Sequence, residues 1–442
     1  MADEAQAQPK ETLTRSVKAT DVAKEVGALR RAFYKRVREA HERGEFVAWT
    51  MWGVTEEVLA AMDVLPTLAE NYGPVCAAKQ IGPHFCQVAE AEGFSMDLCS
   101  YLRTGLGIAA KMHELGEMPP EAPYGGMGKP DMLIAPAFVC DGRYKYLQPV
   151  ARYLDVPYFC YDIQHWPPGV DLNDESMRKR LVAHFLEQVK KMVAFIEKVT
   201  GRKLNKYRLS EALRNWVKVQ NLYAAAVEFR THHPCPLPAQ DSATISFPNL
   251  HMKCWPETVE FYQKVYDEIK YRVEHNMSSV PEEKYRLFWN AIIPWYYIGL
   301  YNWLEESFGA VTLNYEYGGG DALDESIIDY DFPLESIAQK MYAKTWWRVS
   351  ATEGATRNLD SMVRWIKKQD IDGAISLMVA SCRATQSVVH NWKLLRERLD
   401  IPTLGIEADM VDTRTYSDVL VKQRLTAFME TVDAAKRMRQ RG

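Results

Sequence analysis

Short apolar runs alternating with helical patterns, in two separate stretches, constrain this chain more than any other feature. In the first stretch EFVAWTMW (45–52) reads as a buried strand. Gly53 follows, and TEEVLAAMDVLP reads as a helix with Thr55 as N-cap and acidic residues in its first turn. DMLIAPAFVC (131–140) and VPYFCYDI (156–163) are two further strands, with the helical YKYLQPVARYLD between them. A second alternation begins near 284. YRLFWNAII is a strand, PWYYIGLYNWLEESFG a helix closed by Gly309, and AVTLNYEY a strand. SMVRWIKKQDIDG is then a helix ended by Gly373, and AISLMVAS and PTLGIEADMVD are the last strands. Strands that take turns with helices predict a mostly parallel sheet wound on both faces.

Between the two stretches the period changes. DESMRKRLVAHFLEQVKKMVAFIEKVTG and LSEALRNWVKVQNLYAAAVEFR are long helices, THHPCPLPAQDS breaks the pattern, and ETVEFYQKVYDEIKYRVEH resumes it. Near the start, Val22, Val26, Leu29, Phe33 and Val37 fall close to helical spacing, and Gly44 supplies a stop. The expected architecture is α/β: two doubly wound parallel-sheet (Rossmann-like) domains with N-terminal and central helical segments. Its divisions are a disordered tail over 1–20, an N-terminal helix over 21–45, a first α/β domain over 46–173, a helical linker over 174–283 and a second α/β domain over 284–442.

With 442 residues the chain exceeds what one core serves, which agrees with more than one domain. A net charge of −4 with no long basic run points away from nucleic acid. The polar start MADEAQAQPKETLTRS has no apolar segment of the signal-peptide kind. LFWNAIIPWYYIGLYNWL (287–304) has a span-like length, but Asn290, Pro294 and Asn302 interrupt it. A strand running into a buried helix is the expected reading, with no membrane partner. Eight cysteines without a leader suggest a reducing, cytoplasmic setting rather than a disulfide framework.

Three of those cysteines stand just past or beside apolar runs: Cys99 in FSMDLCSYLRTGLG, Cys140 in DMLIAPAFVCDGRYKY and Cys382 in GAISLMVASCRATQSV. None belongs to a C-x-x-C pair, which argues against a zinc ribbon or a thioredoxin-like motif. Three thiolates can hold an iron–sulfur cube and leave one iron free for another ligand. Ligands of open α/β sheets bind beyond the carboxyl ends of the strands, so Cys140 and Cys382 are expected to face one crevice, with Cys99 arriving from a crossover.

Other residues have plainer readings beside functional ones. Cys76, Cys86, Cys160, Cys235 and Cys254 read as small buried apolar residues. His232 and His233 beside Cys235 read as a Pro-bounded loop, and GGGD (318–321) as a turn. Glu56 and Glu57 complement a helix dipole or reach a substrate. His165, in YDIQHWPPG beyond the third strand, is a structural histidine or a proton donor. No Walker A pattern occurs, so ATP hydrolysis by that route is not expected.

The segments LCSYLRTGLG, CDGRYKYLQPVARYL and SCRATQSV, with IPTLGIEADMVDTRTYS and the opening WGVTEEVLAAMDVLP, resemble the 2-hydroxyacyl-CoA dehydratase and benzoyl-CoA reductase family from about residue 46 to 430. The resemblance implies that Cys99, Cys140 and Cys382 are the metal ligands of a 4Fe–4S cluster between two α/β domains. It further implies an acyl-CoA substrate, a homologous cluster-bearing subunit, and a separate ATP-hydrolysing iron–sulfur activator fed indirectly by ferredoxin. AWTMWGV and YDIQHWPPG look most like a catalytic subunit of the class I ATP-dependent benzoyl-CoA reductases, which reduce the aromatic ring to cyclohexa-1,5-diene-1-carbonyl-CoA. By the same resemblance His165 would relay protons, Trp52, Glu57 and Gln164 would contact substrate, and Arg103, Arg143 or Arg383 would tune cluster charge or meet CoA phosphate. Cys86 or Cys160 could instead supply a fourth ligand, which would make this an electron-transfer subunit. A dehydratase subunit, in which the same cluster makes a transient ketyl radical, is the other alternative.

Overall fold

The computed structural model describes residues 16–53, 55–137, 140–163, 174–290, 292–314, 322–344, 362–383 and 388–441. It contains two four-stranded parallel sheets. The first is built from β1 (Phe46–Thr50), β2 (Val64–Leu68), β3 (Met132–Ala137) and β4 (Tyr158–Asp162), in the order β2-β1-β3-β4. The second is built from β5 (Tyr285–Asn290), β6 (Ala310–Asn314), β7 (Gly373–Met378) and β8 (Thr403–Glu407), in the order β6-β5-β7-β8. The two orders are the same topology, and the chain is α/β with two parallel, doubly wound sheets.

Helices cover both faces of the first sheet. Inward residues of one face, including Val47, Trp49 and Leu133, share a core with α1 (Asp21–Arg38), α3 (Ala69–Ala78), α4 (Gly82–Ala91), α5 (Ser100–Leu115), α6 (Asp141–Leu154), α9 (Ala239–His251) and α10 (Pro256–Glu274). Residues of opposite pleat, Ala48, Met132 and Ile134, pack under α2 (Glu56–Ala61), α7 (Glu175–Thr200), α8 (Lys206–Glu228) and α12 (Pro333–Ala343). The period-2 alternation of a strand thus feeds two cores at once, which is why these strands read as continuous apolar runs. The long helices carry their own boundary signals. Asp174 accepts from the Ser176 and Met177 amides at the start of α7, and left-handed Gly201 ends it.

Two sequence expectations change here. The helix expected across TEEVLAAMDVLP stops at Ala61, and Thr55 makes no side-chain cap. Asp63 turns the chain at φ 55°, and Val64–Leu68 becomes an edge strand paired to β1, with Pro66 opposite Ala48. Pro66 is tolerated because an edge strand leaves one row of donors unused. Gly373 likewise opens β7 rather than closing the preceding helix, which covers 362–368. The run at 287–304 divides into β5, a short 3-10 turn (Trp295–Tyr297) and α11 (Gly299–Phe308), which left-handed Gly309 closes. Among the described residues no helix is long and apolar enough to cross a membrane. Residues 1–15 of the expected tail lie outside the described residues, whereas Thr20 caps α1.

Candidate functional site

In each sheet the chain leaves the central pair in opposite directions, β1 toward β2 and β3 toward β4, β5 toward β6 and β7 toward β8. The loops beyond β1 and β3, and beyond β5 and β7, therefore part and open a crevice at the carboxyl ends. Cys140, three residues beyond the end of β3, is the N-cap residue of α6. Cys382 stands in the matching loop after β7, where its amide donates to Val379 O at 3.1 Å. Cys99 is the N-cap residue of α5 and packs against the cores of both sheets. Tyr101, two residues on, belongs to the second sheet's core.

The three thiols lie within electrostatic reach of one another. Burial pushes the Cys99 thiol well above its ordinary range, and the Cys382 thiol adds to this. The Leu102 and Tyr101 amides at the helix start oppose the shift, and Cys140 again raises it. Burial also pushes Cys140 up to about 11, against the Arg143 guanidinium, with Glu70 and Cys382 raising it further. Both are therefore protonated at neutral pH when unligated, and capture of a metal centre would release protons. Among the described residues no three or more His, Cys, Asp or Glu are grouped to hold a single metal ion. Thiolates on the separate irons of a cube stand further apart than ligands of one ion, and a soft sulfur set selects iron–sulfur chemistry over magnesium or calcium.

Packing at glycines brings the helix starts together. A Cβ on Gly142, two residues past Cys140, would lie 2.7 Å from Leu102 Cδ1, three residues past Cys99. A Cβ on Gly107 would lie 2.0 Å from the Phe85 carbonyl oxygen, so α5 seats against α4 only with glycine there.

Two buried arginines stand one turn into the cysteine-led helices. Arg143 donates to Glu70 through Nε at 2.8 Å and Nη2 at 2.6 Å, and Nη2 also donates to Trp52 O. Glu70 in turn accepts from the Trp52 amide at 3.0 Å, so the loop after β1 is tied to the start of α6. Arg103 pairs with Glu90 and Asp412, and Arg414 pairs with the same two carboxylates. These contacts join α4 and α5 to the segment after β8. A crevice of about 650 Å³ lies alongside, lined by Met96, Asp97, Arg103, Ser381, Asp409 and Arg414. Sequence reading missed Glu70, Asp409 and Asp412. The available signal was an acid placed just past an apolar run, in VLPTLAE and TLGIEADMVD.

The remaining sequence candidates fall in different places. Trp52 enters the network through its backbone. Glu57 is fully buried beneath the sheet and paired with Lys340. Glu56 is buried beside it, accepts from Trp216 Nε1 at 3.3 Å, and is held above the usual carboxylate range chiefly by burial. Lys340 and Lys253 lie 3.6 and 4.5 Å from the Trp216 ring centre. Gln164, His165 and GGGD lie outside the described residues. Cys86 Sγ faces Ser100 O and Thr104 Oγ1 at 3.8 and 3.7 Å, and Cys160 is exposed on β4 with Tyr158 and Asp162 as its electrostatic neighbours. His233 faces Glu283 and Asp370, and Cys235 is buried, so that segment is a loop as expected.

A family model described as 2-hydroxyglutaryl-CoA dehydratase, D-component, matches residues 51–432. The chain is 23% identical to the (R)-2-hydroxyisocaproyl-CoA dehydratase alpha subunit of Clostridioides difficile, over 92% of this chain and 94% of that protein. It is 23% identical to the (R)-phenyllactyl-CoA dehydratase alpha subunit of Clostridium sporogenes, over 90% and 92%. It is also 23% identical to one of the subunits of the benzoyl-CoA reductase of Thauera aromatica, over 90% and 92%. With two like-wound sheets, a thiol at the switch point of each and a match over most of its length, the chain belongs to the 2-hydroxyglutaryl-CoA dehydratase D-component family.

Proposed function

We propose that this chain is the iron–sulfur subunit of a heteromeric enzyme acting on acyl-CoA thioesters, with Cys99, Cys140 and Cys382 as the protein ligands of a 4Fe–4S cluster. The observation that carries this reading is that Cys99 and Cys382 pack in one core cluster and that both lie within electrostatic reach of Cys140. Cys86 and Cys160 face other groups, which supports a three-thiolate set that leaves one iron open. When bound, such a cluster supplies single electrons of low potential. Glu70 and Arg143 hold the loop after β1 against the start of α6. In the same proposal His165 delivers a proton and Trp52 and Gln164 contact the acyl group, whereas Glu57, expected from the sequence to join them, is buried and paired with Lys340 and takes no part. A homologous cluster-bearing subunit completes the enzyme in the cytoplasm. ATP is used only by a separate iron–sulfur activator that draws electrons from ferredoxin.

The finer reading is reduction of benzoyl-CoA to the cyclic diene thioester. The aromatic wording around Trp49 and Trp52 and the likeness to a component of a benzoyl-CoA reductase support it. A second reading, dehydration of a 2-hydroxyacyl-CoA, is favoured by the names of the dehydratase relatives. Iron and sulfide analysis with EPR of the dithionite-reduced protein, purified without oxygen, tests the shared part. About four irons per chain, lost in Cys140→Ser, is the expected result. An iron-free wild type would overturn it. Assays with activator, ATP and the partner subunit then separate the readings, since benzoyl-CoA is consumed under the first and an (R)-2-hydroxyacyl-CoA under the second.

A further inference from the structure

Arg103 occupies an unusual place for a buried arginine, because its contacts reach the flanks of two of the three cysteines. On one side its Nε donates to Leu98 O at 2.9 Å, the carbonyl directly before Cys99. On the other, Nη1 donates to Asp412 Oδ2 at 3.0 Å, and Nη2 stands 3.9 Å from Asp409 Oδ2. Asp409 Oδ2 also accepts from Ser381 Oγ at 3.1 Å, and Ser381 directly precedes Cys382. Asp409 is itself fixed, since its Oδ1 accepts from the Val411 and Asp412 amides at 2.8 and 2.9 Å. The result is a polar chain, Leu98–Arg103–Asp409–Ser381, with hydrogen bonds at both ends and a 3.9 Å ion pair at its centre, that crosses from the first α/β unit to the second. A weaker brace closes the third side: Arg383 Nε, next to Cys382, stands 3.7 Å from Asp141 Oδ1, next to Cys140, and both side chains are exposed.

A buried arginine surrounded by carboxylates rarely repays its desolvation as stability alone. Its planar fork does, however, fix several acceptors in one geometry, which a lysine cannot do. We infer that Arg103 is a positioning residue, which sets the separation of Cys99 and Cys382 across the crevice through Leu98 on one side and Asp409 and Ser381 on the other, before any cluster is present. The inference rests on the proposed ligand set. It adds that the cradle is preformed by an ion-pair network of this chain rather than gathered by the metal centre, as outer partners orient metal ligands elsewhere.

The test uses the full chain, purified without oxygen, as wild type, Arg103→Gln, Arg103→Lys, Ser381→Ala and Arg286→Gln. Arg286 is the control. It is a buried arginine paired with Glu283 at the amino end of the second sheet, away from the cysteine loops. Iron loss to a chelator and the EPR signal of the reduced protein are read beside the thermal midpoint. Arg103→Gln should lose iron about tenfold faster with an altered signal, and Arg103→Lys should fail to restore either. Ser381→Ala should accelerate loss about threefold, and it carries the test if Arg103→Gln does not fold. Arg286→Gln should lower the midpoint while retaining wild-type iron. Wild-type loss rates in both Arg103→Gln and Ser381→Ala, or equal acceleration by Arg286→Gln, would overturn the inference.

A readout without iron separates this inference from the cluster reading. In metal-stripped protein one mercuric ion, small enough to reach buried thiols and able to displace their protons, should cross-link Cys99 to Cys382 in wild type and not in Arg103→Gln, as read by peptide mass spectrometry. An iron-free wild type overturns the cluster reading, and the cross-link still decides the positioning role. No difference in cross-linking between wild type and Arg103→Gln would overturn that role.

Discussion

The two sheets share a strand order and a switch point but differ in how they treat buried charge. Each places a cysteine beyond its third strand in sequence, Cys140 after β3 and Cys382 after β7. Each also buries a carboxylate in the helix after its first strand, Glu57 in α2 and Glu305 in α11. In the first unit the carboxylate has a cation: Glu57 pairs with Lys340, which lies over Trp216. In the second it has amides: Glu305 accepts from Gln240 Nε2 at 2.9 Å and from Asn302 Nδ2 at 3.1 Å. Neutral donors offset the burial of a carboxylate less than an opposite charge does, so Glu305 is pushed toward its neutral form. Topology therefore repeats the placement of a group without repeating its partners. The thiols show the same asymmetry. The first unit contributes Cys99 and Cys140 at two helix starts, and the second contributes Cys382 with the aspartates behind it.

The cysteine comparison gives the largest expected effect. Serine at 99, 140 or 382 should abolish bound iron in anaerobic preparations, while Cys86→Ser and Cys160→Ser should retain it. Iron retained by Cys382→Ser would mean that the second sheet contributes no ligand, and would break the parallel between the two switch points.

Breaking the Glu57–Lys340 pair comes next. Lys340→Met leaves Glu57 buried without its cation and should cost about 3–5 kcal/mol in denaturant unfolding. The double variant with Glu57→Gln should recover part of that loss, since both charges are then gone.

The carboxylate of the second unit is tested by pH. Burial, opposed by Gln240 and Asn302, raises Glu305 from 4.5 to about 7. Its folded form therefore holds a proton that the unfolded form releases. The associated stability is complete below pH 4.5 and falls away as pH rises through 7. Glu305→Gln lacks this titration, so between those limits it should gain about 3 kcal/mol relative to wild type in thermal or denaturant melts. A flat difference across that range would show that Glu305 stays ionised despite its burial.

Gly107→Ala should cost about 1–3 kcal/mol by forcing α5 away from the Phe85 carbonyl. The smallest effect belongs to the exposed brace. Arg383→Gln should change stability by no more than about 0.5 kcal/mol, and less at high salt.

Much of this was legible in the chain before folding. Apolar runs such as DMLIAPAFV and AISLMV specify strands, because a sheet covered on both faces needs both pleats apolar. Their alternation with helices specifies parallel winding, and a cysteine at the end of such a run is placed at a sheet edge by chain connectivity alone. The edge strand β2 was not legible, because VLPTL continues a helical pattern and its pairing with β1 is a long-range contact. Nor was Glu57's burial, since an acid in a first helical turn carries the same local signal whether or not Lys340 lies above it.

The sequence by itself determined every strand but β2, their winding and which cysteines stand beyond them. Only the tertiary structure decided that Cys99 joins them, because α5, seated against its neighbouring helices at Gly107 and Gly142, packs Cys99 onto the second sheet's core. It also decided which acids are paired, and that Arg103 spans from Leu98 to Asp412 across 309 residues of separation from its partner. Local order follows from short-range sterics and patterning, whereas charge pairing depends on which side chains the folded core brings together.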